Sequence, residues 1–246
     1  MSPTIAVFGA GSGLGAAVAR RFGKEGYAVA LVARRKEPIE ALAGELAREG
    51  IEAAAFSADL SDSAQVPDLI AAITARFGQI DVIEYGPVGA TVLFVPAADL
   101  AADRLRAFTE LYLYTPIEIV RAVLPGMRAA GSGGILLGQG ASAVHSPPGM
   151  SGVGPVMAAA RHWIHTLHAE LTGTGVYAGT LTVAAGIRDT RAYANAVAAN
   201  PGFAGIQTVA AADLAELYWE MFSSRNEPER IYPPQDEWSG ILTSNT

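Results

Sequence analysis

Seven residues near the amino terminus, Gly9-Ala10-Gly11-Ser12-Gly13-Leu14-Gly15, separate a short apolar run, Thr4–Phe8, from a helically spaced stretch over 16–22. A buried strand that enters a glycine turn and leaves as a helix is the form that fits this text. Glycines there permit the tight turn, admit a pyrophosphate close to the backbone, and let helix and strand pack together. An ordinary structural turn uses the same letters, but the strand before it and the helix after it supply the context of a dinucleotide cradle.

The same alternation continues along the chain. Apolar runs over 27–33, 51–56, 80–85, 134–138 and 177–184 read as further strands. Helical spacing occupies 35–48, 66–77, about 100–127, 155–171 and 213–222, with Pro116 as an expected kink or break. Residues 186–207 have weak periodicity and are expected to fold over a bound molecule, and 230–232 reads as an edge strand. Strands alternating with helices predict an open, mostly parallel α/β sheet with helices on both faces. No repeat, linker or composition shift marks a boundary, so one domain is expected. Its nucleotide-binding half spans about 1–130 and its substrate side and lid about 131–246.

Composition narrows the partners. Of 246 residues, 50% are hydrophobic and 17% charged, enough apolar content for a sizeable core. No uncharged apolar window of about 18 residues argues for a membrane span. A net charge of −7 makes nucleic acid a poor partner. Cysteine is absent, which excludes disulfides, thiolate metal sites and cysteine nucleophiles and fits a reducing, cytoplasmic setting. His162, His165 and His168 recur in steps of three, so they drift round a helix, and no His-Glu-x-x-His pattern accompanies them. No metal site is assigned.

The spacing of Gly9, Gly13 and Gly15 resembles the short-chain dehydrogenase/reductase family, although Phe8 stands where that family has a threonine. The resemblance extends over most of the chain. Asp59-Leu60 is similar to the family's adenine-contacting Asp-Val/Leu pair, and Leu124-Pro125-Gly126-Met127 resembles its Leu-Pro-x-Met helix ending. Ala185-Gly186 with Asp189-Thr190 resembles its Pro-Gly…Thr segment with the proline lost. A Rossmann-type doubly wound sheet follows from the resemblance. So does a nicotinamide cofactor held by Gly9, Gly11, Ser12, Gly13, Leu14, Gly15, Asp59, Leu60 and Gly186. The second strand ends Val32-Ala33-Arg34-Arg35, without the carboxylate that bonds a 2′-hydroxyl in NAD enzymes. Arg34 and Arg35 suit a 2′-phosphate, so NADP(H) is expected in preference to NAD(H).

The family's chemistry uses a Tyr, a Lys four residues later, a Ser about 13 residues before the Tyr, and an Asn on the preceding large helix. The proton donor among them stabilises charge developing on a carbonyl. Counting back from His168-Ala169-Glu170-Leu171 puts Met157 at the Lys position and Val153 at the Tyr position. The fifth strand puts Gly140 at the Ser position, and Pro125 puts Tyr112 at the Asn position. The only lysines are Lys24 and Lys36, so no register supplies a Tyr-x-x-x-Lys pair. Glu84-Tyr85-Gly86-Pro87 likewise replaces the family's Asn-Asn-Ala-Gly run.

Three residues are candidates to fill the vacated chemistry. Tyr112 is a proton donor on the helix of the missing Asn, or else an aromatic packed among Phe108, Leu111, Leu113 and Tyr114. Ser142 and His145 follow the vacant Ser position on a loop that should border the substrate, as a carbonyl donor and a proton shuttle or as turn residues. Glu84 and Tyr85, which end the fourth strand near the expected nicotinamide, are two further candidates, or else residues that shape a cofactor-binding turn. Arg161, one turn past Met157, is read as structural or interfacial. Arg188, Arg191, Tyr193 and Asn195 lie in the expected lid. Phe94, Val95 and Pro147-Pro148-Gly149-Met150 suggest an apolar pocket. An atypical NADP(H)-dependent oxidoreductase of a small carbonyl or alcohol is expected, with a non-redox cyclase or isomerase, or a nucleotide sensor, as alternatives. The resemblance also implies a homo-oligomer, dimer or tetramer, paired through helices 103–127 and 155–171.

Overall fold

The computed structural model describes residues 2–88, 94–146, 148–149, 151–199 and 201–240. Its strands are β1 Thr4–Phe8, β2 Ala28–Ala33, β3 Ala53–Ser57, β4 Val82–Tyr85, β5 Gly133–Gly140, β6 Val176–Val183, β7 Gly186–Ile187, β8 Thr208–Val209 and β9 Glu229–Tyr232. The helices are α1 Leu14–Lys24, α2 Lys36–Arg48, α3 Val66–Phe77, α4 Ala102–Thr109, α5 Thr115–Ala130, α6 Gly154–Leu171, α7 Arg191–Ala199 and α8 Ala211–Ser224. Seven strands form one parallel sheet in the order β3-β2-β1-β4-β5-β6-β9. The order reverses between β1 and β4. In such a sheet a ligand binds outside the carboxyl ends of the strands at that reversal.

Burial explains why the central strands read as continuous apolar runs. Every residue of β1 is buried, because helices cover both faces of a parallel sheet. One face packs Ala6, Phe8, Ile83, Tyr85, Ile135 and Leu137 against α3, α5 and α6. The other packs Ile5, Val7, Leu31, Val82 and Leu136 against α1, α2 and α8. Each fully buried large side chain contributes about 1.5–3 kcal/mol. The alternation within β4 therefore sends Tyr85 to the α5–α6 side and Glu84 to the α8 side.

Several expectations shift. The second strand begins at Ala28 and the third at Ala53, because Tyr27 and Ile51 pack at helix-to-strand turns and not in the ladder. The break in the long helix lies at a π-helical segment, Glu110–Tyr114, just before Pro116. Pro116 follows directly in the first turn of α5, and its missing N–H removes a hydrogen bond back to that segment. Residues 186–207 carry more structure than their periodicity suggests. Strand β7 pairs with β8, and α7 lies between them. Strand β9 joins β6 as the sheet edge. Among the described residues, no helix is long and apolar enough to cross a membrane.

Candidate active site

The glycine loop is stitched to the sheet on both sides. Gly9 and Ala10 each donate a backbone hydrogen bond of 2.9 Å to the Val32 carbonyl, and Gly86 donates to that of Phe8 at 3.0 Å. Gly9 has φ +99°, and a Cβ there would sit 2.6 Å from Pro87 Cα. Only glycine fits that turn. A Cβ on Gly13 would lie 2.6 Å from the Thr190 methyl, so the β7–α7 segment closes over the loop. Gly186 is likewise filled by the Tyr193 ring. The amino end of α1 has no side-chain cap and no acidic residue in its first turn. Positive helix-end potential therefore faces the loop unneutralised, as an anion requires.

At the adjoining strand ends, Arg34 and Arg35 are exposed and enter no ion pair among the described residues. Asp59 Oδ1 accepts from the Ser61 amide at 3.0 Å and hydroxyl at 2.6 Å. Those bonds, helped by the nearby Arg34 charge, hold its carboxyl below the usual range. Leu60 is buried, and its carbonyl accepts from the buried Thr115 hydroxyl at 2.8 Å. These groups fit a dinucleotide: a glycine cradle, a helix end for its phosphates, and two unpaired guanidiniums beyond β2. Gly11 and Ser12 are exposed on the open side of the loop, whereas Leu14 is half-buried and packs against the core beneath α1.

Beyond the loop, at the carboxyl ends of β4 and β5, a cleft is lined by Tyr85, Pro87, Tyr112, Leu137, Gly138, Gln139, Met157 and Ala160. Its cavity volume is about 10 Å³, the room of about one water. Tyr112 is only 7% exposed and comes from the π-helical segment, a local widening that re-aims a side chain. It packs with Val153 and Val156, flanked by Phe94, Phe108 and Met157. Phe94 in turn stacks on Phe203 at 6.1 Å. Of the wall expected from Phe94 and Val95, Phe94 packs behind Tyr112 and neither residue lines the cleft; the Val95 carbonyl accepts from the Ser151 amide at 3.0 Å. Pro147 and Met150, expected on that wall, lie outside the described residues.

The other candidates are dispersed. Ser142 Oγ sits 3.7 Å from the Met157 sulfur, which joins it to the rim of the cleft. Gly140 faces the same sulfur, 4.0 Å from where its Cβ would be. His145 does not line the cleft. It is exposed, with its ring edge-on to Trp238 at 6.2 Å. Tyr85 does line it, but its hydroxyl donates to the Leu111 carbonyl, and burial followed by the Tyr112 charge pushes its pKa well up. Glu84 departs furthest from expectation. Its carboxyl lies on the opposite face of the sheet, where burial raises its pKa to about 8 and its charge acts on Tyr218.

Sequence reasoning missed a polar set beneath α6. Gln139, Thr182 and Glu229 are hydrogen-bonded in series, and Arg161 clasps Glu229. Arg161, read from the sequence as structural or interfacial, is committed to this ion pair. His165 Nε2 is 3.6 Å from Glu229, whereas His168 Nδ1 is 2.8 Å from the Ala178 carbonyl.

Comparison with known proteins agrees with this architecture. The family model for short chain dehydrogenase matches residues 3–200. A fatty acyl-CoA reductase of Mycobacterium tuberculosis is 29% identical over 236 residues, covering 93% of this chain and 76% of that protein. A serine 3-dehydrogenase of Agrobacterium fabrum is 30% identical over 226 residues, covering 89% and 88%. The fold is shared with a metagenomic short-chain oxidoreductase solved in complex with NADP, at TM-score 0.75 and 22% identity over 94% of this chain and 97% of that one. With four-fifths of its length inside the family model and the glycine loop in the family's place, the chain belongs to the short chain dehydrogenase family.

Proposed function

We propose that the protein is an oxidoreductase that takes NADP(H) in preference to NAD(H) and acts on a small carbonyl or alcohol without a Tyr–Lys pair. The observation that carries this reading is the cradle around Gly9, with Arg34 and Arg35 exposed and unpaired where β2 ends. Ala33 there has no carboxylate to repel a 2′-phosphate, and a guanidinium bonds phosphate in bidentate fashion. The NADP-bound relative in fold supports the same choice.

When bound, the nicotinamide supplies or takes up a hydride. The chain's own task is to hold the reacting carbon, exclude water and move one proton. Val153, Met157 and Phe94 exclude water. Tyr112, whose side chain lines the cleft, is assigned to give or take the proton at its phenolic oxygen. Ser142 at the rim is assigned as a second donor to the substrate oxygen. His145 faces solvent against Trp238 and receives no role. A second copy of the chain is proposed to pair through the α4–α5 and α6 region.

A non-redox enzyme on the same scaffold is the second reading. It is favoured by Val153 and Met157, since neither side chain exchanges a proton where the family places its Tyr and Lys. The test is nicotinamide absorbance during incubation with a panel of aldehydes, ketones and alcohols. Substrate-dependent loss of NADPH, faster than with NADH, is expected. Product formed with the cofactor unchanged would establish the second reading. Nucleotide binding that alters only self-association would point to a sensor.

A further inference from the structure

Gln139 is 93% buried at the end of β5, lines the cleft beside Tyr112 and Met157, and has one end of its amide committed. Its Nε2 donates to Thr182 Oγ1 at 3.0 Å. Thr182 Oγ1 donates to Glu229 Oε1 at 2.8 Å. Glu229 is bound through Arg161 Nε at 2.9 Å and 3.0 Å to its two oxygens, with Arg161 Nη2 making a further bond.

This series has only one direction. A carboxylate paired with a guanidinium accepts and does not donate. The Thr182 proton is therefore spent on Glu229, and the hydroxyl has only a lone pair to offer Gln139. That lone pair selects the NH2 end of the amide, so the amide orientation follows from chemistry and not from an arbitrary choice between N and O. The remaining atom, Oε1, is buried without a hydrogen-bond partner among the described residues. A buried acceptor in that condition calls for a donor from outside the chain.

We propose that Gln139 Oε1 is a specificity-determining acceptor that binds a neutral hydroxyl on the substrate, and that Thr182 positions it. The cavity has room for one water-sized group, which a hydroxyl matches. No charged side chain lines the cleft among the described residues, so an ammonium finds no counter-ion there. A carboxylate or second carbonyl would set its lone pairs against those of Oε1. The site therefore favours hydroxy-substituted carbonyl compounds over their deoxy analogues, a preference that rests on the oxidoreductase reading above.

The experiment uses the full chain with hydroxyacetone and acetone, and longer pairs matched in carbon skeleton. Two readouts are taken: kcat/KM for NADPH consumption, and ligand binding to the NADPH complex by saturation-transfer NMR. The hydroxy compound is expected to be preferred at least about tenfold in each pair, since a site built to bond a hydroxyl rejects analogues that lack it. Gln139→Met should abolish the preference. Thr182→Val, which leaves the cleft lining intact, should weaken it mainly through KM, and Thr182→Ser should restore it, with NADPH affinity constant throughout. Equal turnover of both members of each pair by the wild type, or a preference that survives Gln139→Met, overturns the proposal and leaves the oxidoreductase reading standing. If no pair is turned over, the oxidoreductase reading fails. The binding preference and its loss in Gln139→Met then decide the proposal separately.

Discussion

Glu84 shows what one buried carboxyl does to a sheet core. Burial raises its pKa from 4.5 to about 8, so the folded chain retains a proton that the unfolded chain releases. Stability is fully present below about 4.5, falls as pH rises towards about 8, and is level above that. At about 1.4 kcal/mol per unit, the loss amounts to several kcal/mol. Thermal melts should therefore show a wild-type Tm that declines from pH about 5 to about 8, and Glu84→Gln should flatten that decline. A parallel decline in both proteins would show that another group controls it. At the cofactor end, Arg34→Glu should weaken NADPH binding by about 10- to 100-fold while changing NADH by much less, because one charge-assisted bond contributes about 1.5–3 kcal/mol. Calorimetric titration with the two nucleotides checks this. Tyr112→Phe keeps the ring that packs on Val153 and removes only the hydroxyl. A fall in kcat with KM for the substrate held is expected, and unchanged kcat would make Tyr112 a packing residue.

At the level of elements, the β1–glycine–α1 unit works because each part restricts the next. Gly9→Ala forces a Cβ to 2.6 Å from Pro87 at a φ of +99°. The strain is worth about 1–3 kcal/mol. Nucleotide titration should show affinity lost, together with a lower Tm. Unaltered NADPH binding would mean that the loop tolerates a different turn. This unit was legible in the sequence because an apolar run, the glycines and a helical period are adjacent in the text. The helix at Arg191–Ala199 was not, since its alanines and Asn195 define no apolar face. The π-helical segment was hidden for a related reason. One added residue in a turn leaves the letters Glu110-Leu111-Tyr112-Leu113-Tyr114 reading as an ordinary helix. The Gln139–Thr182–Glu229–Arg161 series was invisible because its members lie on three strands and a helix, and registers such as Gln139 opposite Thr182 are set by tertiary packing. His145 was expected beside the substrate from its place in the loop. The short helical turn at Ala141–Ala143 instead carries it outward to Trp238.

For the whole molecule, the doubly wound sheet brings the glycine loop, the ends of β4 and β5 and the β7–α7 segment to one edge. The cofactor cradle and the polar-floored cleft are therefore neighbours although their residues span the chain from Gly9 to Thr190. On the outside, Tyr114 remains 52% exposed where α4 passes into α5, an aromatic available to a second copy. Light scattering should give at least twice the mass of one chain, with Tyr114→Glu shifted towards the single-chain mass; a single-chain mass for the wild type would remove the pairing.

The proposed activity of this cleft is hydride transfer between NADP(H) and a small carbonyl with no Tyr–Lys pair. Incubation with NADPH carrying deuterium at both nicotinamide C4 positions, followed by mass spectrometry of the product, tests that claim directly. One deuterium is expected on the former carbonyl carbon, with an equivalent amount of NADP formed. Unlabelled product beside intact NADPH would contradict it.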